Sequence, residues 1–202
     1  MTQYSPLFEM ALAATLAKEG IYSNDPQDPG GETFLGISRG NNPDWQGWYW
    51  IDKCKPNGVF DPKMAANIKA LDGMVKEFYY LLYWMAIQGD KIQGPVAVEM
   101  FDTAVNQGVG QMVRMFQEAL NLLNNNQKFY PNIFVDGKIG ENTIRSWSAY
   151  QALSRLPGRS TDLCNRVFIK VLTALQAEKY LNIARRNEEQ EKWFFGWMAN
   201  RV

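Results

Sequence analysis

Between Gly20 and Asp44 the sequence reads GIYSNDPQDPGGETFLGISRGNNPD, a run too dense in Gly, Pro, Asn and Asp to continue a helix. Helical periodicity stands on both sides of it. Ahead of the run, Leu7, Met10, Ala11, Ala14 and Ala17 keep helical spacing, and Leu12 and Leu16 widen the stripe until most of the helix reads as buried. Gly20 supplies its C-terminal stop. Within the run, Thr33 to Ser38 suits short extended pieces joined by turns. After it, Asp61-Pro62 reads as an N-cap with proline at the first helical position, predicting helices over about 62–71 and 73–87. Gly89 to Pro95 interrupts the pattern and is the candidate boundary between regions 1–93 and 94–202. Beyond it, stretches 96–106, 109–123, 141–154 and 162–186 are helical in spacing, with breaks at Asn124 to Asn126 and at Pro157-Gly158. The pattern predicts a mainly α protein with a small β-hairpin element near the N-terminus.

Composition removes several kinds of chemistry. The chain has no histidine, which excludes Ser-His-Asp and Cys-His catalysis, His-ligated metals and imidazole acid-base work. Catalysis must run on carboxylates, Lys, Tyr or hydroxyls. Lys plus Arg number 21 and Asp plus Glu number 21, so no broad field exists to collect nucleic acid or anionic lipid. Cys54 and Cys164 are too few for a disulfide scaffold and too far apart for a CxxC motif, and read as two free thiols. Glu9 stands where a signal peptide wants Lys or Arg, and no window reaches the roughly 18 apolar residues of a membrane span. The expectation is a product without a secretion signal, cytoplasmic when synthesised and not inserted in a membrane.

Glu19 is the first candidate for chemistry. Helical spacing puts it one turn from Thr15 and Leu16 and two turns from Leu12, on an apolar flank at the negative end of the helix dipole. Both conditions favour the neutral acid, which is what a general acid requires. In glycoside hydrolysis such an acid protonates the leaving oxygen while a second carboxylate, in a wetter setting, stays ionised. Asp25 and Asp28 lie on the polar turn that follows, and the Thr33 hydroxyl can hold a water. On spacing alone the same residues also read as a helix-end glutamate, two turn formers and a strand threonine.

The segment KEGIYSNDPQDPGGETFLGIS, Lys18 to Ser38, resembles the signature of glycoside hydrolase family 108, lysozyme-like N-acetylmuramidases of phages and bacteria, whose motif reads EGGY and then DPxDPGGxTxxGIS. The resemblance continues in NPDW, EFYYLLYW, GDKI, FDTAVNQG, VDGKIGENT and the closing GWMANRV, spanning nearly the whole chain. Ile21 stands where the family usually has its second glycine, which bears on the shape of the turn after the acid. The resemblance implies a lysozyme-like, two-lobed α fold, a catalytic region over 1–93, and a peptidoglycan-binding region over 94–202 packed as the second lobe. It implies Glu19 as the catalytic acid, Asp28 or its rival Asp25 as second carboxylate, and Thr33 as a water-positioning hydroxyl. No metal or organic cofactor is implied.

Other residues carry weaker signals. Trp45, Trp48, Tyr49 and Trp50 can form a sugar-stacking wall, although four aromatics in six positions cannot all face one ligand. Tyr22, the tyrosine of the EGGY-like motif, joins Trp45, Trp48 and Trp50 as a candidate substrate contact. Tyr79, Tyr80, Tyr83 and Trp84 have spacing that suits core packing. Asp102 and Asn106 share a helix face and either line a cleft or lock two helices. Asp136 to Thr143 reads as an Asp-Gly turn before a helix start, and the mixed charges from Arg185 to Lys192 as a solvated helix end. The function expected is a monomeric muramidase cutting the β-1,4 bond after N-acetylmuramic acid in bacterial peptidoglycan strands, reaching them after lysis or through a holin-type pore, as phage endolysins do. The alternatives are a non-catalytic wall-binding or secretion-associated protein and a lytic transglycosylase.

Overall fold

The computed structural model describes residues 3–18, 20–25 and 30–202. They are mainly helical, with one three-stranded antiparallel sheet near the N-terminus. The chain folds as two compact units, Glu9–Leu82 and Met1–Phe8 with Tyr83–Val202. Among the described residues no helix is long and apolar enough to cross a membrane. Cys54 and Cys164 are free and buried.

Helix α1 (Pro6–Leu16) starts on proline, with the Ser5 hydroxyl accepting from the Phe8 N–H at 3.4 Å. Its buried stripe is narrower than the sequence suggests: Phe8, Ala11, Leu12 and Thr15 are covered, while Met10 and Ala14 face out. Alanine and methionine favour helix wherever they point, so composition overstated the buried face.

In the unit Glu9–Leu82, strands β1 (Tyr22–Ser23), β2 (Thr33–Phe34) and β3 (Ile37–Ser38) pair in chain order. Phe34 lies opposite both Tyr22 and Ile37. Leu35 and Gly36 turn the second hairpin with φ of 46° and 78°, the two positive values that match strand twist in a two-residue turn. A leucine is costly there, and two bonds hold it: its N–H donates to the Ile21 carbonyl at 2.9 Å, and the Tyr79 hydroxyl donates to its carbonyl at 2.7 Å. Helices α2 (Gly47–Lys53), α3 (Pro62–Ala66) and α4 (Lys69–Tyr79) cover the sheet's apolar side, where Phe34, Ile37, Trp48, Ile51, Leu71, Val75 and Tyr79 are buried. Asp61 caps α3 as read, accepting from the N–H groups of Lys63 and Met64. The helix expected to reach residue 71 stops at Ala66, because Ile68 turns extended (φ −94°, ψ 91°) and α4 begins anew. At its far end α4 widens into a π-helical turn, Tyr80–Trp84.

The other unit is built from α5 (Gly89–Ile92), α6 (Gly94–Gln107), α7 (Val109–Leu122), α8 (Glu141–Ala152), α9 (Thr161–Arg186) and α10 (Glu191–Arg201). One aromatic cluster joins Phe8, Trp84 and Phe101, and a second joins Phe116, Trp147, Tyr150 and Phe168. Burial pushes the Tyr150 phenol up to about 12, and its hydroxyl donates to the Cys164 carbonyl at 2.8 Å. Where a solvated helix end was expected after Arg186, the exposed charges form a turn and the chain re-enters a helix, α10.

The Asp136-Gly137 turn is pinned by one buried amide. Gln117, 1% exposed, donates from Nε2 to Asp136 Oδ1 at 2.9 Å, to the Lys138 carbonyl at 3.0 Å and to Thr143 Oγ1 at 3.2 Å. Its Oε1 accepts from the Gly137 N–H at 2.9 Å. Hydrogen bonds from Gln117 and then from the Lys138 N–H hold the Asp136 carboxyl below its usual range. Gln117→Leu strands the Gly137 donor, so chemical denaturation is expected to show about 1–3 kcal/mol lost. An unchanged midpoint and slope would mean the amide pins nothing.

Candidate functional site

Glu19 and Asp28 lie outside the described residues. What is described is the ground on either side of them. Helix α1 ends at Leu16, and Thr15 in its last turn is 1% exposed while Ala17 and Lys18 after it are exposed. Gly30 and Gly31, directly after position 29, are locked to the hairpin. The Gly30 carbonyl accepts from Ser38 Oγ at 2.6 Å and from the Gly40 N–H at 3.1 Å. Thr33 is half-buried, and its hydroxyl donates to the Gly31 carbonyl at 3.2 Å. A hydroxyl whose proton is committed in this way presents only lone pairs to an incoming group. Asp25 is exposed.

Beside Thr33 sits a carboxylate that sequence reasoning did not single out. Glu32 keeps only 10% of its side-chain surface exposed, and Lys55 Nζ lies 2.5 Å from Oε1. Arg39 Nε lies 2.9 Å from Oε2, off the hydrogen-bonding line, so that contact is ionic rather than directional. The Tyr22 hydroxyl donates to Oε1 at 3.0 Å. Asp52 closes the cluster, taking two bonds from the Arg39 guanidinium at 2.6 and 3.2 Å and one from Lys55 at 2.7 Å. Two carboxylates thus face two cations. The hydrogen bond from Arg39 holds the Asp52 carboxyl below its usual range. Burial alone would lower the Lys55 ammonium, but its bonds to Asp52 and Glu32 outweigh that and raise it. Burial, then the bond to Glu32, raises the Tyr22 phenol, which stays a donor.

The candidate aromatic contacts divide. Tyr22 stacks on Phe60 with centroids 4.0 Å apart and planes at 14°. Trp48 is buried, its indole N–H donating to the Asn42 carbonyl at 2.8 Å and the Arg39 guanidinium 4.5 Å above its ring. Trp45 stacks on Phe34, meets Trp48 edge-on, and lies so close over Gly47 that a Cβ there would stand 2.3 Å from its ring. Trp50 is half-buried and Tyr49 exposed; their rings meet edge-on at 5.2 Å, with the Lys53 ammonium 4.2 Å from the Tyr49 centroid and 5.4 Å from that of Trp50. Ile21 is 59% exposed and lines an apolar groove of about 300 Å³ with Phe34, Leu35, Leu71 and Val75.

Asp102 and Asn106 belong to the other unit and join two helices there. Arg201 of α10 pairs with Asp102 at 3.2 Å, both side chains almost covered. Asn106 Oδ1 accepts from the Tyr180 hydroxyl at 2.7 Å, and Tyr180 stacks on Trp197 of α10.

Residues 12–108 match the family described as glycosyl hydrolase 108, and residues 111–202 match one described as "Predicted Peptidoglycan domain". Residues 12–108 are a family 108 glycosyl hydrolase domain. The protein is therefore a glycoside hydrolase related to peptidoglycan. The solved structure of Brucella abortus SagA is 19% identical, with 95% of each chain covered and a TM-score of 0.52, a likeness of fold. No curated protein matches.

Within the family 108 domain the missed cluster had only a partial signal. Asp52 and Lys55 stand three apart at the end of α2, a pairing the sequence displays, but Glu32 and Arg39 reach them only through the fold. The native Asp52 carboxyl titrates below its unfolded counterpart, so its contribution to stability is whole above about pH 4 and is lost as pH falls through the native value. Asp52→Asn is accordingly expected to melt below the wild type near neutrality, with the gap closing in acid. A gap that stays constant with pH would show that the ion cluster is not its source.

Proposed function

We propose that the protein is an N-acetylmuramidase, hydrolysing the β-1,4 bond between N-acetylmuramic acid and N-acetylglucosamine. The observation that carries the reading is the family 108 match over residues that include Glu19, Asp25, Asp28 and Thr33. Glu19 protonates the leaving oxygen. Asp28, with Asp25 as the alternative, takes the proton of the attacking water. Thr33 positions that water, and its bond to the Gly31 carbonyl supports the role, since the hydroxyl is then turned to accept a hydrogen bond from the water. A water held between two carboxyls roughly 6.5 to 9.5 Å apart gives inversion at the anomeric carbon. Trp50 and Tyr49 are the aromatics proposed to meet a pyranose, since Tyr49 is exposed and Trp50 half-buried beside it, with Lys53 over both rings.

The match of residues 111–202 supports peptidoglycan as the polymer held while the bond is cut. The protein acts as a monomer and reaches the wall after lysis or through a holin-type pore, as the resemblance to phage endolysins implies.

Glu19→Gln keeps the shape of the side chain and removes the proton donor. Release of reducing ends from purified sacculi is expected to fall about 100- to 10,000-fold with the melting temperature unchanged. Thr33→Val is expected to cost less, because the water keeps its carboxylate partner. Undiminished release by the Glu19→Gln protein would contradict the assignment.

A further inference from the structure

In the unit of Met1–Phe8 and Tyr83–Val202, α5, its junction with α6, the end of α8 and the start of α9 line a groove of about 500 Å³. Trp147 contributes to its wall, nearly buried, with its indole N–H fixed by donation to the Ile92 carbonyl at 3.0 Å. Two cations, Lys91 and Arg155, line it and are exposed. Among the described residues neither is in an ion pair. Among the described residues no carboxylate lines the groove; its other polar side chains are amides and hydroxyls. Gln151 Nε2 donates to Asn165 Oδ1 at 3.1 Å, which leaves Gln151 Oε1 as an acceptor and Asn165 Nδ2 as a donor, set side by side. Gln93, at the lip, holds φ 60° and ψ 170°, a conformation L residues rarely adopt.

The groove between α7 and α9 has a different character. There Glu118 and Glu178 stand with Lys179 and Arg186, and the charges balance. The groove at α5 and α8 is positive, amide-lined and without an anion of its own. A neutral sugar chain has no use for two uncompensated cations. An extended peptide carrying carboxylates does: a guanidinium takes a carboxylate in a two-point bond, an ammonium takes a second, and an amide pair matches peptide N–H and C=O groups.

We propose that this groove binds the acidic stem peptide of peptidoglycan, with Arg155 and Lys91 on its carboxylates and Gln151 and Asn165 on its backbone. The inference rests on the reading that the chain works on peptidoglycan, and it places recognition of the peptide on α5, α8 and α9, on residues other than the sugar-cutting ones of the family 108 domain.

The test uses the full chain and the free tripeptide L-Ala–γ-D-Glu–meso-diaminopimelate, titrated by calorimetry, with peptide-free glycan strands as the comparison ligand. The tripeptide is expected to bind, to weaken at about 0.5 M salt, and to lose about tenfold or more in affinity in the Lys91→Ala/Arg155→Ala protein, while any affinity for the peptide-free strands is unmoved. As a readout that needs no variant, the Trp147 indole N–H resonance of the wild type is expected to shift on adding the tripeptide. No tripeptide binding, an unmoved indole signal, equal affinity in the double variant, or a matching loss for peptide-free strands would each overturn the proposal. Binding is measured without turnover, so sacculi that yield no new reducing ends alongside intact tripeptide binding would remove the hydrolase reading alone.

Discussion

Glu32 is covered over nine-tenths of its side chain, and Lys55, Arg39 and Tyr22 take the place of the water its carboxyl has lost. Much of the unit Glu9–Leu82 is arranged around that replacement. Glu32 precedes β2, Arg39 follows β3, Asp52 sits in α2 and Lys55 just after it, so one ion cluster ties both ends of the hairpin to the helix beside it. Thr33 is the next residue along from Glu32. Its position is therefore set by that cluster and by the Leu35-Gly36 turn, which the Tyr79 hydroxyl holds from α4. Removing one partner from such a cluster leaves a covered charge uncompensated, which costs far more than an exposed pair is worth.

The second unit solves a similar problem with fewer charges. Its turn at Asp136-Gly137 is fixed by the neutral amide of Gln117, and its last helix is held by the covered pair Asp102 with Arg201 and by the Tyr180–Trp197 stack. Exposed cations of this unit differ in their pairing: Arg145 and Arg166 are paired along their own helices with Glu141 and Asp162, whereas Lys91 and Arg155 are in no ion pair among the described residues.

Much of this was legible in the residues. Periodicity located α7, α8 and α9 to within two residues at each end, because their apolar positions recur at helical spacing and glycine, asparagine or proline separates them. Thr33 to Ser38 was legible as a hairpin because only a glycine-bearing turn fits between its strands. The break at Asn67-Ile68 was not, since neither residue stops a helix by itself and the tertiary packing of Leu71 and Val75 sets where α4 begins. For the site, the order of Glu19, Asp28 and Thr33 carried little weight until the longer motif around them was matched. The roles of Trp45 and Trp48 were hidden because an indole that packs a core and one that stacks on sugar have the same sequence signature. Glu32 was hidden because its partners lie 7 to 23 positions away and meet it only in the folded chain.

On the proposed reading, water opens the bond after N-acetylmuramic acid, with Thr33 of the hairpin positioning it. Digestion of purified peptidoglycan in oxygen-18 water, followed by mass spectrometry of the soluble products, reads that claim directly. The account predicts disaccharide fragments ending in a reducing N-acetylmuramic acid that carries one oxygen from the solvent. Anhydro ends without solvent oxygen, reducing ends on N-acetylglucosamine, or sacculi left whole would contradict it.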